Sequence, residues 1–476
     1  MVLKGRVGVV FALAVVLAGC ATPRAAQMTS EAQALYAAGT SVAIAPQAIH
    51  KKSAELLSEL LKQPVDGDAA VQIALLNNPR VAAIYARIGF AEADLYDAAR
   101  LSNPTLGYTR LTSGSEASKT DWSLSQNFTE LLFLGFRRAG AESQALLAKQ
   151  QVARELLDLE AEVRAADVRF IGSRTVAAMR DRVAQTARVS ATYAQQLFDA
   201  GNISALQLAR MKEAASLAEA GALRARAAET SDRSALLTAM GLKLDASPEL
   251  VGAYRMPEAA VLKIDDVSHW ASDHRLDLLS AREALHFATV TQAHARRWRW
   301  LGDTSIGIAR ETDGAIGTVP AETLTGPTAS LALPIFNQGR GTFTRAQSAV
   351  EQLKANVQAL EVSIDNEVPA RVAALDAAQK SVVLYQGQVL PTQKLIVEES
   401  QKQQNYMLIG TFELLAAKQH QFDGFEAYID ALRDYWLARI DLARATGGRI
   451  PGLDGATPGQ PVDPLASNDV VSGERP

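Results

Sequence analysis

The chain holds a single thiol, Cys20, and its setting suits acyl transfer rather than catalysis. Cys20 closes the stretch Leu17-Ala18-Gly19-Cys20, which follows the apolar run Val7 to Leu17 and the cations Lys4 and Arg6. A cationic start, a short apolar run and small residues before a cysteine form the pattern of a bacterial lipobox. Small side chains fit a signal-peptidase cleft, and the sulfur takes a diacylglyceryl group. The alternative is an ordinary secretory signal with an incidental cysteine. Acyl chains contribute about 0.8 kcal/mol per buried methylene, so several chains on one cysteine hold a protein at a membrane. Ala21, rather than an aspartate, follows the cysteine, and outer-membrane sorting is the expectation.

Other chemically capable residues are sparse. Six histidines are scattered along the chain, and His269 with His274 could share a metal; solvated histidines are the plainer reading. No zinc-protease, phosphate-loop or nucleophile-elbow motif occurs, so neither an enzyme nor a cofactor is expected. Arg296-Arg297-Trp298-Arg299-Trp300 interleaves cations with aromatics. Such a run stacks on nucleic acid or anchors a chain at a membrane interface. With Trp122 it is read as an interface belt. Glu413 stands just past an expected helical turn, where carboxylates from several copies would repel one another and attract cations. A solvated helix charge is the equal alternative.

Composition limits the partners. The net charge of -4 and a pI near 6.0 give no footprint for nucleic acid. Alanine and leucine dominate and aromatics make up only 6%, the habit of long helices. No later stretch reaches the apolar length of a membrane helix, so a membrane crossing by the mature chain would need β-strands.

These residues must be positioned by a duplicated framework. Glu162-Val163 matches Glu367-Val368, Gln207-Leu208-Ala209 with Lys212 matches Glu413-Leu414-Leu415 with Lys418, and Gly241 matches Gly447. The chain is accordingly divided into a signal peptide (1–19), a lipidated segment (20–65), a first repeat (66–241), a linker (242–268), a second repeat (269–447) and a poorly ordered tail (448–476). Each repeat reads as helix, strand pair and long helical hairpin. A helix starts at Asp66 or Asp68, breaks at Asn77-Asn78-Pro79, and stops before Asn103-Pro104.

The strand pairs are expected within 104–128 and 303–336. Alternation appears in Leu106, Tyr108 and Arg110; in Trp122, Leu124 and Phe128; in Ile306 and Ile308; and in Leu331, Leu333 and Ile335. One apolar and one small or polar face suits a barrel wall between lipid and water; a soluble hairpin pair is the alternative. Thr112 to Thr120 and Asp313 to Pro327 read as loops. Apolar steps of three and four predict helices from about Arg137 to Asp199 and from Thr342 to Leu408, with kinks at Pro369 and Pro391. A helix of about 65 residues reaches roughly 100 Å, suited to a coiled coil rather than a globule. The turns fall at Leu197 to Ser204 and at Tyr406 to Glu413.

From Asp66 to Gly448 the sequence resembles the TolC-type outer membrane efflux protein family. The resemblance rests on Ala74-Leu75-Leu76-Asn77-Asn78-Pro79, on Phe198-Asp199-Ala200-Gly201-Asn202-Ile203-Ser204 and on Leu333-Pro334-Ile335-Phe336-Asn337-Gln338-Gly339-Arg340. It implies a mainly α chain giving four strands to a shared trimeric twelve-stranded β-barrel, continued by a periplasmic coiled-coil tunnel. It also implies docking of a periplasmic adaptor at the tips, here Gly201, Asn202, Ser204 and Gly410, and an inner-membrane transporter beyond it. By pattern Glu413 matches one aperture acid, while Ala416 occupies a second position that is acidic in some relatives. The expected role is a passive outer-membrane exit duct for small molecules or metal ions. A duct for type I protein secretion and a non-pore coiled-coil lipoprotein are the alternatives.

Overall fold

The computed structural model describes residues 25–40, 53–112, 118–246, 248–257, 262–315 and 320–453. Cys20 and the tail beyond residue 453 lie outside them. The chain forms two units: one from Met1–Ala32, Tyr85–Val152 and Asp277–Leu360, the other from Gln33–Ile84, Ala153–Leu276 and Glu361–Pro476. Each unit draws on both halves of the chain.

The helices before the first strand are α1 (Ala25–Gly39), α2 (Ser53–Leu60), α3 (Gly67–Asn77) and α4 (Pro79–Ala98). Asp66 is the N-cap of α3: its carboxylate accepts from the Ala69 N–H at 2.9 Å, satisfying a donor that the first turn leaves unpaired. Helix α3 ends because Pro79 disfavours helical backbone at Asn78, which stands extended at ψ 123°.

The first unit carries one antiparallel sheet in the order β1-β2-β3-β4. Its strands are β1 (Thr105–Thr112), β2 (Ser118–Asn127), β3 (Thr304–Asp313) and β4 (Glu322–Leu331). The fourth strand departs from expectation. The alternation in Leu331, Leu333 and Ile335 suggests a strand there, yet β4 lies earlier, largely inside the stretch read as a loop. Its pairing explains the shift, because the ladder runs unbroken from Thr304 against Leu331 to Asp313 against Glu322. Backbone hydrogen bonds along all of β3 outweigh a side-chain pattern that would leave half of it unpaired. Within one chain β4 is an edge strand, a position where a sheet tolerates proline, here Pro327.

A short helix α5 (Phe128–Leu132) leads into α6 (Leu134–Asp199), 66 residues or roughly 100 Å long. The remaining helices are α7 (Ala205–Ala239), α8 (Ile264–His274), α9 (Leu276–Trp298), α10 (Arg340–Leu384), α11 (Leu390–Asn405) and α12 (Thr411–Ala445). Helix α8 therefore begins inside the stretch assigned to the linker. Helix α10 runs through Pro369 without a break, and the interruption comes as a π-helical turn at Tyr385–Val389, just before Pro391. The apolar stripe expected in α6 is its core: Val152, Leu156, Leu159, Val163, Ala166 and Phe170 are all buried. In α12, Phe425, Ile429 and Leu432 are buried while Phe422 and Trp436 are half-buried.

Candidate membrane wall and hairpin tips

Cross-strand partners share a face, so the register sorts every strand residue. One face carries Leu106 and Tyr108 of β1, Trp122 and Leu124 of β2, Ile306 and Ile308 of β3, and Pro327, Ala329 and Leu331 of β4, with Gln126 at its helix end and Arg110 and Arg310 toward its loop end. The other carries Thr105, Gly107, Thr109, Ser123, Ser125, Ser305, Gly307, Ala309, Gly326, Thr328 and Ser330, and toward the loop end the charged Lys119, Asp121 and Glu311 beside Leu111 and Leu324. Among the described residues nothing covers the apolar face: Ile308 is 61% and Leu106 65% exposed. In water this would be an unfavourable arrangement, since apolar surface of this extent is ordinarily buried. Strands of 8 to 10 residues match the length that a tilted strand needs to cross a bilayer. Both edges of the sheet are open among the described residues, a template for pairing with other strands.

The tryptophans read as one belt stand at two levels. Trp298 ends α9 and packs edge-on against Phe133 at 5.5 Å, while Arg299 lies 4.6 Å over the Trp300 ring. Both are close to the helix end of the sheet. Trp122 sits mid-strand, paired with Tyr108 and Arg310. The Tyr108 and Trp122 rings meet at a tilt, with centroids 4.6 Å apart, toward the loop end. Between the two levels run the rows Leu106-Leu124-Ile308-Pro327 and Gln126-Ile306-Ala329.

In the second unit, the hairpin tips are built alike. After α6, Gly201 takes a left-handed φ of 75°, and the Asn202 N–H donates to the Leu197 carbonyl at 2.8 Å. Ser204 then caps α7 reciprocally with Gln207 (2.8 and 3.3 Å). After α11, Met407 takes φ 59°, and the Leu408 N–H donates to the Gln403 carbonyl at 2.9 Å. Gly410 is the N-cap of α12, and the Glu413 carboxylate accepts the Gly410 N–H at 3.3 Å. Glu413 therefore has a capping role as well as a charge. Gly201 could be read from sequence as the turn residue; Met407 could not, because its left-handed backbone is held by the same closing bonds without glycine. Tyr406, Met407 and Leu408 are 77%, 92% and 73% exposed. Beneath the turns, Ala194, Leu208 and Met211 are buried with Ile203, Phe412 and Leu415 packed on them.

The Asn77-Asn78-Pro79 motif also has a physical role. Asn77 donates to the Gly241 carbonyl (2.8 Å) and Asn78 to the Ala239 carbonyl (2.7 Å), serving acceptors that the end of α7 leaves unpaired. Gly241, at φ 72°, packs on the Asn78 backbone, where a Cβ would collide. Nearby, Tyr36 of α1 donates to the buried Glu160 carboxylate at 2.7 Å. Arg164 bonds the same Glu160 at 2.9 Å and Asp68 at 3.0 Å. Burial, then the Glu160 charge, pushes the Tyr36 hydroxyl well above its usual range. Burial also pushes Asp167 up to about 7, with the Asp66 charge adding to it. No sequence signal marked Tyr36, Glu160 or Asp167, because their coupling depends on contacts between distant segments.

The histidine pair does not converge on a site. His269 faces Asp273 at 3.6 Å, whereas His274 stacks on Trp270 at 3.6 Å and meets its carbonyl through Nδ1. Among the described residues no group of three ligands can hold a metal ion.

No protein-family model and no curated protein matches the chain. Solved structures do. A membrane protein from Pseudomonas aeruginosa aligns with a TM-score of 0.68 at 17% identity, over 80% of this chain and 93% of its own. The outer membrane protein VceC from Vibrio cholerae gives 0.65 at 14%, over 83% and 96%. The CmeC outer membrane channel of Campylobacter jejuni gives 0.66 at 13%, over 87% and 89%. This chain has the fold of outer-membrane channels. The expected architecture, mainly helical with four strands per chain, is borne out by that likeness.

Proposed function

We propose that the protein is an outer-membrane exit duct of the efflux type, formed by three copies sharing one twelve-stranded barrel. The observation that carries this reading is the four-stranded sheet, apolar on one face, small and polar on the other, and open at both edges. Four strands cannot close a barrel, and an even set of at least eight is the known minimum for a single chain, so copies must share the wall. The likeness to outer-membrane channels supports the same reading.

Tyr108 and Trp122 form the outer aromatic girdle of that wall, and Trp298 with Trp300 the inner one, beside the cations Arg296, Arg297 and Arg299. The long helices continue the duct into the periplasm. A lipid on Cys20 anchors each copy. Transport through the duct is passive, with energy from an inner-membrane pump reached through a periplasmic adaptor. The adaptor docks at the tips around Gly201, Asn202, Ser204 and Gly410, where the apolar Tyr406, Met407 and Leu408 are uncovered. Glu413 lines the narrow end and attracts cations. The chain has no enzymatic role. The exposed apolar sheet disfavours the coiled-coil spacer, which has no use for such a face.

The deciding experiment is the oligomeric mass of mildly extracted protein together with its conductance in planar bilayers. A trimer with stable channels is expected. A monomer without conductance would return the spacer reading.

A further inference from the structure

The apolar face of the sheet continues past the end of its last strand. Leu331 closes β4 opposite Thr304, and Leu333, Ile335 and Phe336 follow, all three exposed. This segment lies beside the end of α9. The Ala332 N–H donates to the Asp303 carbonyl at 2.8 Å, and Gly339, at φ 68°, packs on Arg299 where a Cβ would collide. Glycine is required there by both the left-handed backbone and the close approach. Arg340, the first residue of α10, is thereby brought beside Arg299, whose guanidinium lies over the exposed Trp300 ring.

Charge at this level is one-sided. Residues 296–303 and 332–345 hold five arginines, Arg296, Arg297, Arg299, Arg340 and Arg345, against one carboxylate, Asp303. All five are exposed, and among the described residues none forms an ion pair. Arg137 and Arg138 at the start of α6, by contrast, are paired with Glu130 and Glu142. Assembly does not supply the missing charge. The strand that extends the sheet beyond β4 is β1 of the next copy, and it reaches this level through Leu101 to Leu106, none of them acidic.

The ligand must therefore satisfy two kinds of surface at once. A soluble anion would pair the arginines and leave Leu333, Ile335 and Phe336 in water. A neutral lipid would cover the apolar side chains and leave the arginines unpaired. A lipid with an anionic head does both, and guanidinium groups match a phosphate with two parallel hydrogen bonds.

We propose that Arg299 and Arg340 hold the headgroup phosphate of an anionic phospholipid at the helix end of the sheet, with Trp300, Leu333 and Phe336 against its acyl chains. This rests on the reading of the sheet as a membrane wall and names the lipid class that the wall selects at its periplasmic rim.

The test is native mass spectrometry of the full chain in neutral detergent, titrated with phosphatidylglycerol or with phosphatidylcholine of the same chains. Phosphatidylglycerol is expected to be retained about tenfold or more over phosphatidylcholine, with a preference that falls as salt rises. Arg299→Gln/Arg340→Gln should abolish the preference, and Arg299→Lys/Arg340→Lys, which keeps the charge, should restore part of it. Arg182→Gln/Arg210→Gln, which removes the same charge from the helical hairpins, should leave it intact. Glycerol phosphate, a headgroup without chains, should not compete. Equal retention of the two lipids, a preference that survives Arg299→Gln/Arg340→Gln, or full competition by glycerol phosphate overturns the proposal. The same spectra report the oligomer: a trimer without preference sinks the lipid site alone, and a monomer that keeps the preference sinks the shared barrel alone.

Discussion

Replacing Ile308 by arginine probes the membrane wall directly. Ile308 stands in the row Leu106-Leu124-Ile308-Pro327, flanked on the helix side by Gln126-Ile306-Ala329 and on the loop side by Tyr108-Trp122-Arg310-Thr325. That places it near the middle of the apolar band. An arginine on the lipid face at mid-depth costs about 2–4 kcal/mol, so a trimer carrying three loses roughly 6–12 kcal/mol of insertion free energy. Ala309, the next residue, points to the opposite face, and Ala309→Arg should insert almost normally because its charge meets water. The assay is the amount of trimer in the outer-membrane fraction, followed by urea titration of purified protein folded into bilayers. Ile308→Arg is expected to abolish the inserted trimer and Ala309→Arg to leave most of it. If the sheet instead stood in water, Ile308→Arg at an exposed site would change stability by only about 0.5 kcal/mol either way. Equal behaviour of the two variants would refute the wall.

Four further outcomes follow from the second unit. Asp66→Ala removes the N-cap of α3 and should lower stability by about 1 kcal/mol in denaturant titration. Tyr36→Phe deprives the buried Glu160 of its donor and should cost about 1–3 kcal/mol, read as faster proteolytic release of α1. Asp167 binds its proton more tightly folded, at about 7, than at its ordinary 3.8. Its contribution is therefore fully present below pH 3.8 and is lost as pH rises to about 7; Asp167→Asn should remove that part of the pH dependence of unfolding. Glu413→Gln keeps an acceptor for the Gly410 N–H but removes the charge, so the tip should stay folded while the reversal potential of the channel moves toward zero; an unchanged potential would leave Glu413 a cap alone.

Local physics was legible without the fold. A helix start at Asp66 or Asp68, the helix break at Asn77-Asn78-Pro79, the turn at Gly201, the stripe of α6 and the alternation of β1, β2 and β3 each depend on neighbours within a few residues, and the hydrogen bond to Ala69 then decided for Asp66. The recurring order of helix, strand pair and hairpin was read for the same reason, from repeated local signals. What the sequence could not determine is whatever depends on which distant segment a residue meets. The position of β4 is set by its ladder with β3 rather than by its own alternation. The separate levels of Trp122 and Trp298 follow from strand register, and the left-handed Met407 from the bonds that close its turn. Tyr36, Glu160 and Asp167 became linked only when α1, α3 and α6 packed together, because desolvation and pairing are properties of a place in space, not of a place in the chain.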